Sequence, residues 1–309
     1  MKRIVFAALV LSVALAMAFA AKNGGRGSSY RSSVDSLSDD CSDHLQNYGH
    51  RYDSIVRDEE THSLPNQPLN FVAERNGGIQ ISTWDRPDFS VKLCKEVAGH
   101  SDAEGRKLLA EIKLSIDGAT VSVNSPRHDD DYGDYNVNAL LLIKAPKDAQ
   151  VTMQVLNGGI SVRRFTGTAE AKAANGGISL KESRGKLTAR AENGGISIQD
   201  CGGDVVANVQ NGGLSINLPQ QWEGKGLDAH TQNGGLVIAI PRNFSSGLEV
   251  SASNHVSIIC KDDACANGQR TWDDERRIFR IGSGSPQVRA STVNGGIVIK
   301  GTEHSREMM

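Results

Sequence analysis

Large aromatic side chains are scarce in this chain: Phe, Trp and Tyr make up 5% of the 309 residues, whereas glycine alone contributes 33. A compact globule built around large side chains is therefore not expected, and small residues and turns must dominate the fold. An excess of charge of one sign is also lacking, because 34 Lys and Arg oppose 36 Asp and Glu. The composition gives no electrostatic reason to expect a nucleic-acid partner.

An extended apolar run lies at the N-terminus, from Ile4 to Phe19, after a Lys-Arg pair and before two alanines. This arrangement predicts a secretory signal peptide over residues 1–20. The run is short for a spanning helix, so we expect no membrane span after cleavage, and an uncleaved anchor is the weaker alternative. The mature chain would be extracytoplasmic, in the periplasm, on the cell surface or secreted. No cysteine follows the run, so a lipid anchor is not indicated.

Cysteine is rare and odd in number: Cys41, Cys94, Cys201, Cys260 and Cys265. In an oxidising compartment pairing is favoured, and at least one thiol must stay free or pair between molecules. Cys260 and Cys265 share one polar loop, which favours a local disulfide. A bond between Cys41 and Cys94 is the weaker hypothesis, and the pairing among these four stays open. We interpret Cys201 as a small buried thiol, because it takes the place of Phe165 two repeats earlier.

The centre of the chain repeats itself. "NGGISVRRFTGTAEAKAA", "NGGISLKESRGKLTARAE" and "NGGISIQDCGGDVVANVQ" follow one another at intervals of 18 residues, and "NGGLSI" comes next. Within each repeat, alternating apolar residues on either side of a glycine turn predict two short strands. The triplet Asn-Gly-Gly that belongs to this pattern occurs at Asn76, Asn157, Asn175, Asn193, Asn211, Asn233 and Asn294.

Two arrangements of these strands compete. Asn-Gly is typical of tight hairpins, which would give an antiparallel meander. A solenoid instead stacks each repeat as one rung, with equivalent positions about 4.8 Å apart in parallel ladders. Only the solenoid gives a reason for the same residue to recur at the same position of every repeat, because equivalent residues then stack. We therefore expect Ile160, Ile178 and Ile196 to lie on one another. The glycines would supply positive backbone dihedrals, and the asparagines would hydrogen-bond from rung to rung.

The predicted fold class is all-β: a single-chain β-solenoid, parallel β-helix-like and flattened, with about 18 residues per rung and NGG turns. Its handedness is not fixed by the sequence, although the general crossover preference favours a right-handed coil. Loops at 100–107 ("HSDAEGRK") and 125–136, and a polar excursion from Cys260 to Arg277, are expected to interrupt the strands.

The outward positions of the repeats do not suggest catalysis. They carry mixed charges, as a solvated face would, and no pair of carboxylates recurs at ladder spacing. We therefore expect no catalytic residues, no cofactor and no enzyme activity. The scattered histidines lack a zinc-binding spacing. The outward positions are Ser161, Arg163, Glu170, Lys172, Lys181, Lys186, Arg190 and Glu192.

Two other features could bind a ligand. The carboxylates of Asp129, Asp130, Asp131 and Asp134 surround Gly133, and carboxylates clustered on a glycine-containing loop suit calcium. The loop lacks the full twelve-residue calcium pattern, so a solvated acidic loop is the plainer interpretation and no metal site is assigned. Trp84, Trp222 and Trp272 all fall in loops or inserts, where they would act as lids over the rung ends or as a sugar-binding surface.

Several stretches carry a family resemblance. "NGGIQIS", "LLLIKAPKDAQVTMQVLNGGISV" and "IGSGSPQVRASTVNGGIVIK" resemble the putative-adhesin domain family of bacterial envelope proteins, over about residues 69–301. The resemblance implies a β-solenoid of unknown function, a bacterial origin and an envelope location. The expected organisation is a signal peptide (1–20), a polar, weakly structured lead-in (21–68), the β-solenoid putative-adhesin domain (69–301) and a disordered tail (302–309).

The expected function is adhesin-like binding or scaffolding in the bacterial cell envelope, without catalysis. The partner would be an envelope protein, a glycan or a second copy of the chain. The alternative is a polysaccharide-binding or polysaccharide-degrading β-helix protein. A sensor domain for envelope stress is a third hypothesis, and it would require a partner encoded elsewhere.

Overall fold

The structure, a computed structural model, describes residues 40–44, 52–125, 135–253, 255–261, 265, 268–272, 275–282 and 286–302. The predicted signal peptide, the four carboxylates of the 125–136 loop and the tail beyond Thr302 lie outside these residues. The described chain is all-β, with two large mixed sheets that we name sheet I and sheet II. No helix in this part of the chain is long and apolar enough to cross a bilayer.

Six strands and one α-helix precede the repeats, after a short 3₁₀ helix at Cys41–His44. The elements are β1 (Ser54–Leu64), β2 (Leu69–Thr83), β3 (Phe89–Gly99), α1 (Asp102–Glu111), β4 (Lys113–Asp117), β5 (Thr120–Asn124) and β6 (Asn136–Ala145). Strand β2 belongs to both sheets, because its first half pairs in sheet II and its second half in sheet I.

The repeats form five strand pairs, and each pair is one rung: a strand of sheet II followed by a strand of sheet I. They are β7 (Gln150–Asn157) and β8 (Ile160–Arg163), β9 (Thr168–Asn175) and β10 (Ile178–Lys181), β11 (Lys186–Asn193) and β12 (Ile196–Gln199), β13 (Asp204–Asn211) and β14 (Leu214–Asn217), β15 (Gly226–Asn233) and β16 (Leu236–Ile240).

Six further strands follow the repeats. They are β17 (Leu248–Ser253), β18 (Ile258–Cys260), β19 (Gln269–Trp272), β20 (Arg276–Ile281), β21 (Val288–Asn294) and β22 (Ile297–Gly301). The predicted polar excursion from Cys260 to Arg277 therefore contains a strand, β19, which pairs antiparallel with β20.

The register of the repeats agrees with the expected stacking. In sheet I, Ile178 lies between Ile160 and Ile196, and all three strands are parallel. In sheet II, β9, β11 and β13 are likewise parallel, and each pairs with the equivalent position of the next repeat. The predicted parallel, in-register pairing is confirmed, and the antiparallel meander is excluded for these strands.

The core lies between the two sheets, where large side chains of sheet I pack against small side chains of sheet II. The inward positions of sheet I are Ile, Leu and Val, such as Ile196 and Ile198, each 1% exposed. The inward positions of sheet II are often alanine, such as Ala189 (0%) and Ala207 (0%). This pairing gives a thin core at close packing, as the alternation in the sequence predicts.

Both ends of the stack depart from chain order. The last rung in the sequence, β21–β22, lies between β15–β16 and β17–β18 rather than at the end. At the other end, β2 lies between β5–β6 and β7–β8. Antiparallel strands then flank the outer rungs: β3 beside β6, β4 beside β5, and β20 beside β17.

Two expectations for the N-terminal part are wrong. The lead-in (21–68) contains the eleven-residue strand β1, which pairs antiparallel with β3 along its whole length. The charged run of β1 conceals the alternation that would predict a strand, because few of its residues, such as Val56, are buried. The predicted loop at 100–107 is the start of helix α1, whose Leu108 and Leu109 are buried against the end of the core. Those leucines lie just beyond the segment interpreted as a loop.

Disulfides close both ends of the described chain. Cys41 is bonded to Cys94, which anchors the 3₁₀ helix to β3, and Cys260 is bonded to Cys265. Both hypothesised pairings are thus confirmed. Cys201 is free and buried, as expected, and burial raises the pKa of its thiol to about 11. At neutral pH this thiol is protonated and therefore a poor nucleophile.

Glycine is required at the turn between the strands of a rung. Gly176 has φ of +156°, and a Cβ there would overlap the carbonyl oxygen of Gly158 on the adjacent rung. Gly177 has no such φ, and the nearest neighbour of an added Cβ would be the Gly195 carbonyl oxygen at 3.3 Å, a tight contact that a shift of a few tenths of an ångström relieves. The first glycine of the triplet is therefore constrained more strongly than the second.

Replacing these two glycines tests the constraint. We expect Gly176→Ala to lower the free energy of unfolding by about 2 kcal/mol or more, since it adds an unfavourable φ and a steric overlap. Gly177→Ala is the matched control and should cost clearly less. Denaturant unfolding followed by circular dichroism measures both. Equal losses for the two variants would contradict the geometry.

Candidate functional site

A continuous chain of asparagine side chains runs along the stack at the turns. The amide of Asn175 donates to Asn157 at 3.1 Å, and Asn193 donates to Asn175 at 3.2 Å. The series continues through Asn211, Asn233 and Asn294, with donor–acceptor distances of 3.2, 3.0 and 2.9 Å. All of these bonds are exposed, and all donors point in one direction. The rung-to-rung hydrogen bonding expected from the repeated triplet is confirmed for these residues.

Beside this asparagine ladder, the outer face of sheet II forms an open groove with a volume of about 1070 Å³. Equivalent outward positions of successive rungs line it: Gln154, Lys172, Arg190, Asn208 and His230. Because neighbouring parallel strands lie about 4.8 Å apart, this row offers one polar side chain at each step for about 19 Å. We call this feature the sheet II groove.

The charges of Lys172 and Arg190, the second and third residues of this row, are largely compensated. Lys172 Nζ lies 3.2 Å from Glu170 Oε1, and Arg190 donates to the same carboxylate oxygen. The hydrogen bond from Lys172, together with the charge of Arg190, lowers the pKa of the Glu170 carboxyl. Glu170 therefore stays ionised at neutral pH and fixes the two cations against the sheet.

The other end of the groove presents neutral hydrogen-bonding groups. Asn208 and His230 are half-buried there, and Gln210 and Gln232 lie on the next outward row. His230 Nδ1 is 2.9 Å from the Ser291 hydroxyl, which orients the ring. Amides and an imidazole can both donate and accept, so this end suits a ligand rich in hydroxyl or peptide groups.

The structure separates the predicted outward residues into two groups. Glu170, Lys172, Arg190 and Glu192 meet at the sheet II groove, whereas Lys181 lies on the outer face of sheet I. Ser161 and Arg163 were expected to be solvated, and this is wrong: they are 6% and 4% exposed. The alternation of the sequence correctly places them on the outside of sheet I. It does not reveal that they are buried there.

Three groove residues escaped the sequence analysis: Asn208, His230 and Gln154. Each occupies the same position of its rung as Lys172, so laying the repeats over one another would have identified them. Among the residues that the structure describes, no group of three or more His, Cys, Asp or Glu is placed to hold a metal ion.

The three tryptophans have different environments. Trp222 is 2% exposed, its indole N–H donates to the Gly203 carbonyl at 3.2 Å, and its backbone N–H donates to the Ser246 hydroxyl at 2.7 Å. It is a packed lid and cannot stack on a sugar. Trp272 is 68% exposed on β19, with the Arg277 guanidinium 5.5 Å from its ring centre. Trp84 is half-buried, and its indole N–H donates to the Asp88 carbonyl at 2.7 Å. Trp272 is therefore the most exposed of the three and best meets the requirement of the sugar-binding hypothesis.

Comparison with known proteins finds similarity among solved structures alone. No protein-family model matches the chain, and no curated protein matches it. Among solved structures, a "putative cell adhesion protein" from Clostridium sporogenes is 13% identical, with a TM-score of 0.31, over 80% of this chain and 100% of that one. A "putative adhesin" from Bacteroides fragilis is 9% identical, with a TM-score of 0.24, over 79% and 97%. A "putative lipid binding protein" from Parabacteroides distasonis is 10% identical, with a TM-score of 0.29, over 79% and 97%.

The contrast between two tryptophans is testable by stability alone. Trp222→Ala should lower the free energy of unfolding by about 3–5 kcal/mol, because it opens a cavity and removes one of the two hydrogen bonds to the Gly203 carbonyl, which keeps the bond from the Gly226 N–H. Trp272→Ala should change it by no more than about 0.5 kcal/mol, as expected for an exposed side chain. Thermal denaturation of the two variants beside the parent chain measures the difference. A mild effect at Trp222 would contradict its role as a lid.

Proposed function

We propose that this protein is a non-enzymatic, extracytoplasmic β-solenoid that acts as an adhesin-like binding or scaffold protein of the bacterial cell envelope. In this proposal, the parallel rungs wind as one flattened solenoid whose NGG turns line one edge. The contact surface is the sheet II groove. The single observation that carries the proposal is the in-register row of polar side chains that continues across five rungs.

The repeat of the groove fits an extended partner. A row that offers a hydrogen-bonding group about every 4.8 Å can follow a linear chain, such as a peptide strand or a glycan, along the stack axis. The charged residues Lys172 and Arg190 have one neutral residue of the row on one side and two on the other, so the row is not symmetrical and gives such a chain a direction. A long, open groove that carries a row of polar side chains over a largely apolar lining can bind through many weak contacts without a deep pocket.

Two features support an envelope location and a non-catalytic role. Disulfides such as Cys41–Cys94 form and persist in oxidising compartments, which agrees with the signal-like N-terminus. Glu170, the groove carboxylate bound by two cations, has a lowered pKa. A general acid of a glycoside hydrolase needs the opposite shift, so this carboxylate is better suited to holding Lys172 and Arg190 in place.

Blocking the groove tests its role in binding. Asn208→Trp places a large side chain in the middle of the row, and Ser215→Trp places the same side chain on the exposed outer face of sheet I. We expect Asn208→Trp to weaken capture of a partner from bacterial envelope extract by at least about tenfold, equivalent to about 1.4 kcal/mol, while Ser215→Trp binds as the parent does. Equal capture by both variants would rule out the groove.

A glycan array with the same variants tests whether the extended partner is a glycan and whether the chain degrades it. Retention of a glycan that Asn208→Trp abolishes would identify the ligand as a polysaccharide. Release of new reducing ends from that glycan would show catalysis, and the non-enzymatic part of the proposal would then be wrong.

A further inference from the structure

The two sheets end in four edge strands, which differ in exposure. Within the described part of the chain, each of them pairs on one side only: β1 and β18 in sheet I, and β4 and β19 in sheet II. Strand β19 is the most open of the four, because all four of its residues are exposed. An edge strand of this kind offers backbone N–H and C=O groups with which another strand can pair.

The inner face of the β19–β20 hairpin alternates aromatic rings with guanidinium groups. Phe279 of β20 is buried in the core, and the guanidinium of its cross-strand partner Arg270 lies 5.9 Å from the ring centre. The next pair on this face is Trp272 with Arg277, whose guanidinium lies 5.5 Å from the indole centre. Strand β19 therefore presents an arginine and a tryptophan, two residues apart on one face, beside its open edge.

Trp272 and the start of β19 have the properties of an interface. Trp272 is 68% exposed, more than any other large hydrophobic side chain that the structure describes, and tryptophan and arginine contribute most to protein interfaces. Just before β19, the Gly268 N–H donates to the carbonyl of Cys265 at 2.9 Å, and Cys265 is bonded to Cys260 on β18. The edge strand is thereby held in place, so pairing with another strand costs little ordering of the backbone.

The opposite end of the stack does not offer a matching surface. Strand β1 carries the charged run from Arg57 to Glu60, and charges on an edge strand oppose pairing with a further strand. Helix α1 also packs Leu108 and Leu109 against the core at this end. A head-to-tail filament needs both ends of the stack, whereas a symmetric dimer needs only one. The difference between the ends therefore favours a dimer through β19.

We propose that two copies of this chain form a symmetric dimer, in which β19 pairs antiparallel with β19 of the second copy. A two-fold axis perpendicular to sheet II at Thr271 keeps both inner faces on one side and places Arg270 of each copy opposite Trp272 of the other. This is the one register that pairs both arginines with both tryptophans. Rings and cations then continue to alternate across the joint, in the order Phe279, Arg270, Trp272 of the second copy and Arg277 of the second copy.

The dimer leaves the sheet II groove open in both copies. The row from Gln154 to His230 lies on β7 to β15, whereas the joint lies at the edge strand β19. Because the two-fold axis is perpendicular to sheet II, the two outer faces lie on the same side of the joined sheet. Two grooves can then act together on a surface that carries repeated ligands, which raises the overall affinity. The dimer itself does not depend on the ligand proposed for the groove.

Analytical ultracentrifugation of the mature chain measures the association. Two four-residue strands bury less than the ~1,200 Å² of a stable interface, so we expect a monomer–dimer equilibrium with a dissociation constant on the order of 10–100 μM. Trp272→Ala should raise that constant at least about tenfold. Ile116→Ala, the matched control on β4 at the opposite end, removes a side chain that is 42% exposed and should leave the constant unchanged.

Three outcomes of this measurement would overturn the proposal. They are a monomer mass at every concentration up to about 300 μM, species larger than a dimer, and equal weakening by Trp272→Ala and Ile116→Ala. Larger species or equal weakening would indicate head-to-tail stacking instead. Asn208→Trp alters the groove and not β19, so it should dimerise as the parent chain does. The dimer and the groove can therefore fail separately.

Cysteine cross-linking tests the register. In the proposed dimer Thr271 lies opposite Thr271 of the second copy, with about 5 Å between their Cβ atoms, a separation close to that of a disulfide. Gln269 lies on the same outer face, but four residues along the strand, about 14 Å, separate it from Gln269 of the second copy. Under mild oxidation, Thr271→Cys should form a covalent dimer at least about tenfold faster than the control Gln269→Cys. Equal rates, or no covalent dimer from Thr271→Cys, would contradict the proposal.

A glycan is the competing occupant of the surface around Trp272, and the same variant distinguishes the two. Because Trp272 is exposed in a single chain, its replacement by alanine affects association rather than the unfolding of the monomer. Loss of dimer with Trp272→Ala, without any glycan retained by the parent chain on the array, is the expected result. Loss of glycan retention with an unchanged sedimentation coefficient would assign the surface to a sugar and overturn the dimer.

Discussion

Backbone contact between glycines of adjacent rungs is the constraint on which the rest of the structure depends. At each turn the first glycine of the triplet lies so close to a carbonyl of the neighbouring rung that a side chain cannot fit. Once this contact is made, the two rungs have only one register. Isoleucine then lies on isoleucine in sheet I, asparagine on asparagine at the turn, and the outward side chains of sheet II form rows. The Asn-Gly-Gly triplet repeats in the sequence because the same steric requirement recurs at the turn of every rung.

The central part of the fold was predictable because its signals are local and repeated. The spacing of the triplets, the glycine at mid-repeat and the alternation of apolar residues are enough to place Ile160, Ile178 and Ile196 in one ladder. The ends were not predictable, since they rely on partners distant in sequence. Strand β1 contains an unbroken charged run from Arg57 to Glu60 and gains its structure from pairing with β3. Helix α1 gains its stability from two leucines that are buried against the core.

The candidate site shows the same division. The four charged groove residues could be predicted to lie outside, because alternation alone determines the side of the sheet. That they form a groove depends on the shape of the stack, which no single repeat contains. The burial of Arg163 is likewise invisible in its own repeat, which reads as a solvated face. The outer face of sheet I is thus buried at Ser161 and Arg163 but exposed at Ser215, although the alternation of the sequence is the same at each repeat.

The placement of β21–β22 inside the stack has a consequence for how the molecule is completed. A chain is synthesised from its N-terminus, so β17, β18 and the β19–β20 hairpin exist before the strands that separate them from β16. Until β21 and β22 have been synthesised, β17 and β18 lack the parallel strands with which they pair in the complete structure. Strands β21 and β22 are therefore interior strands of the two sheets. A protein that lacked them would lose an inner layer of the stack rather than its outermost one.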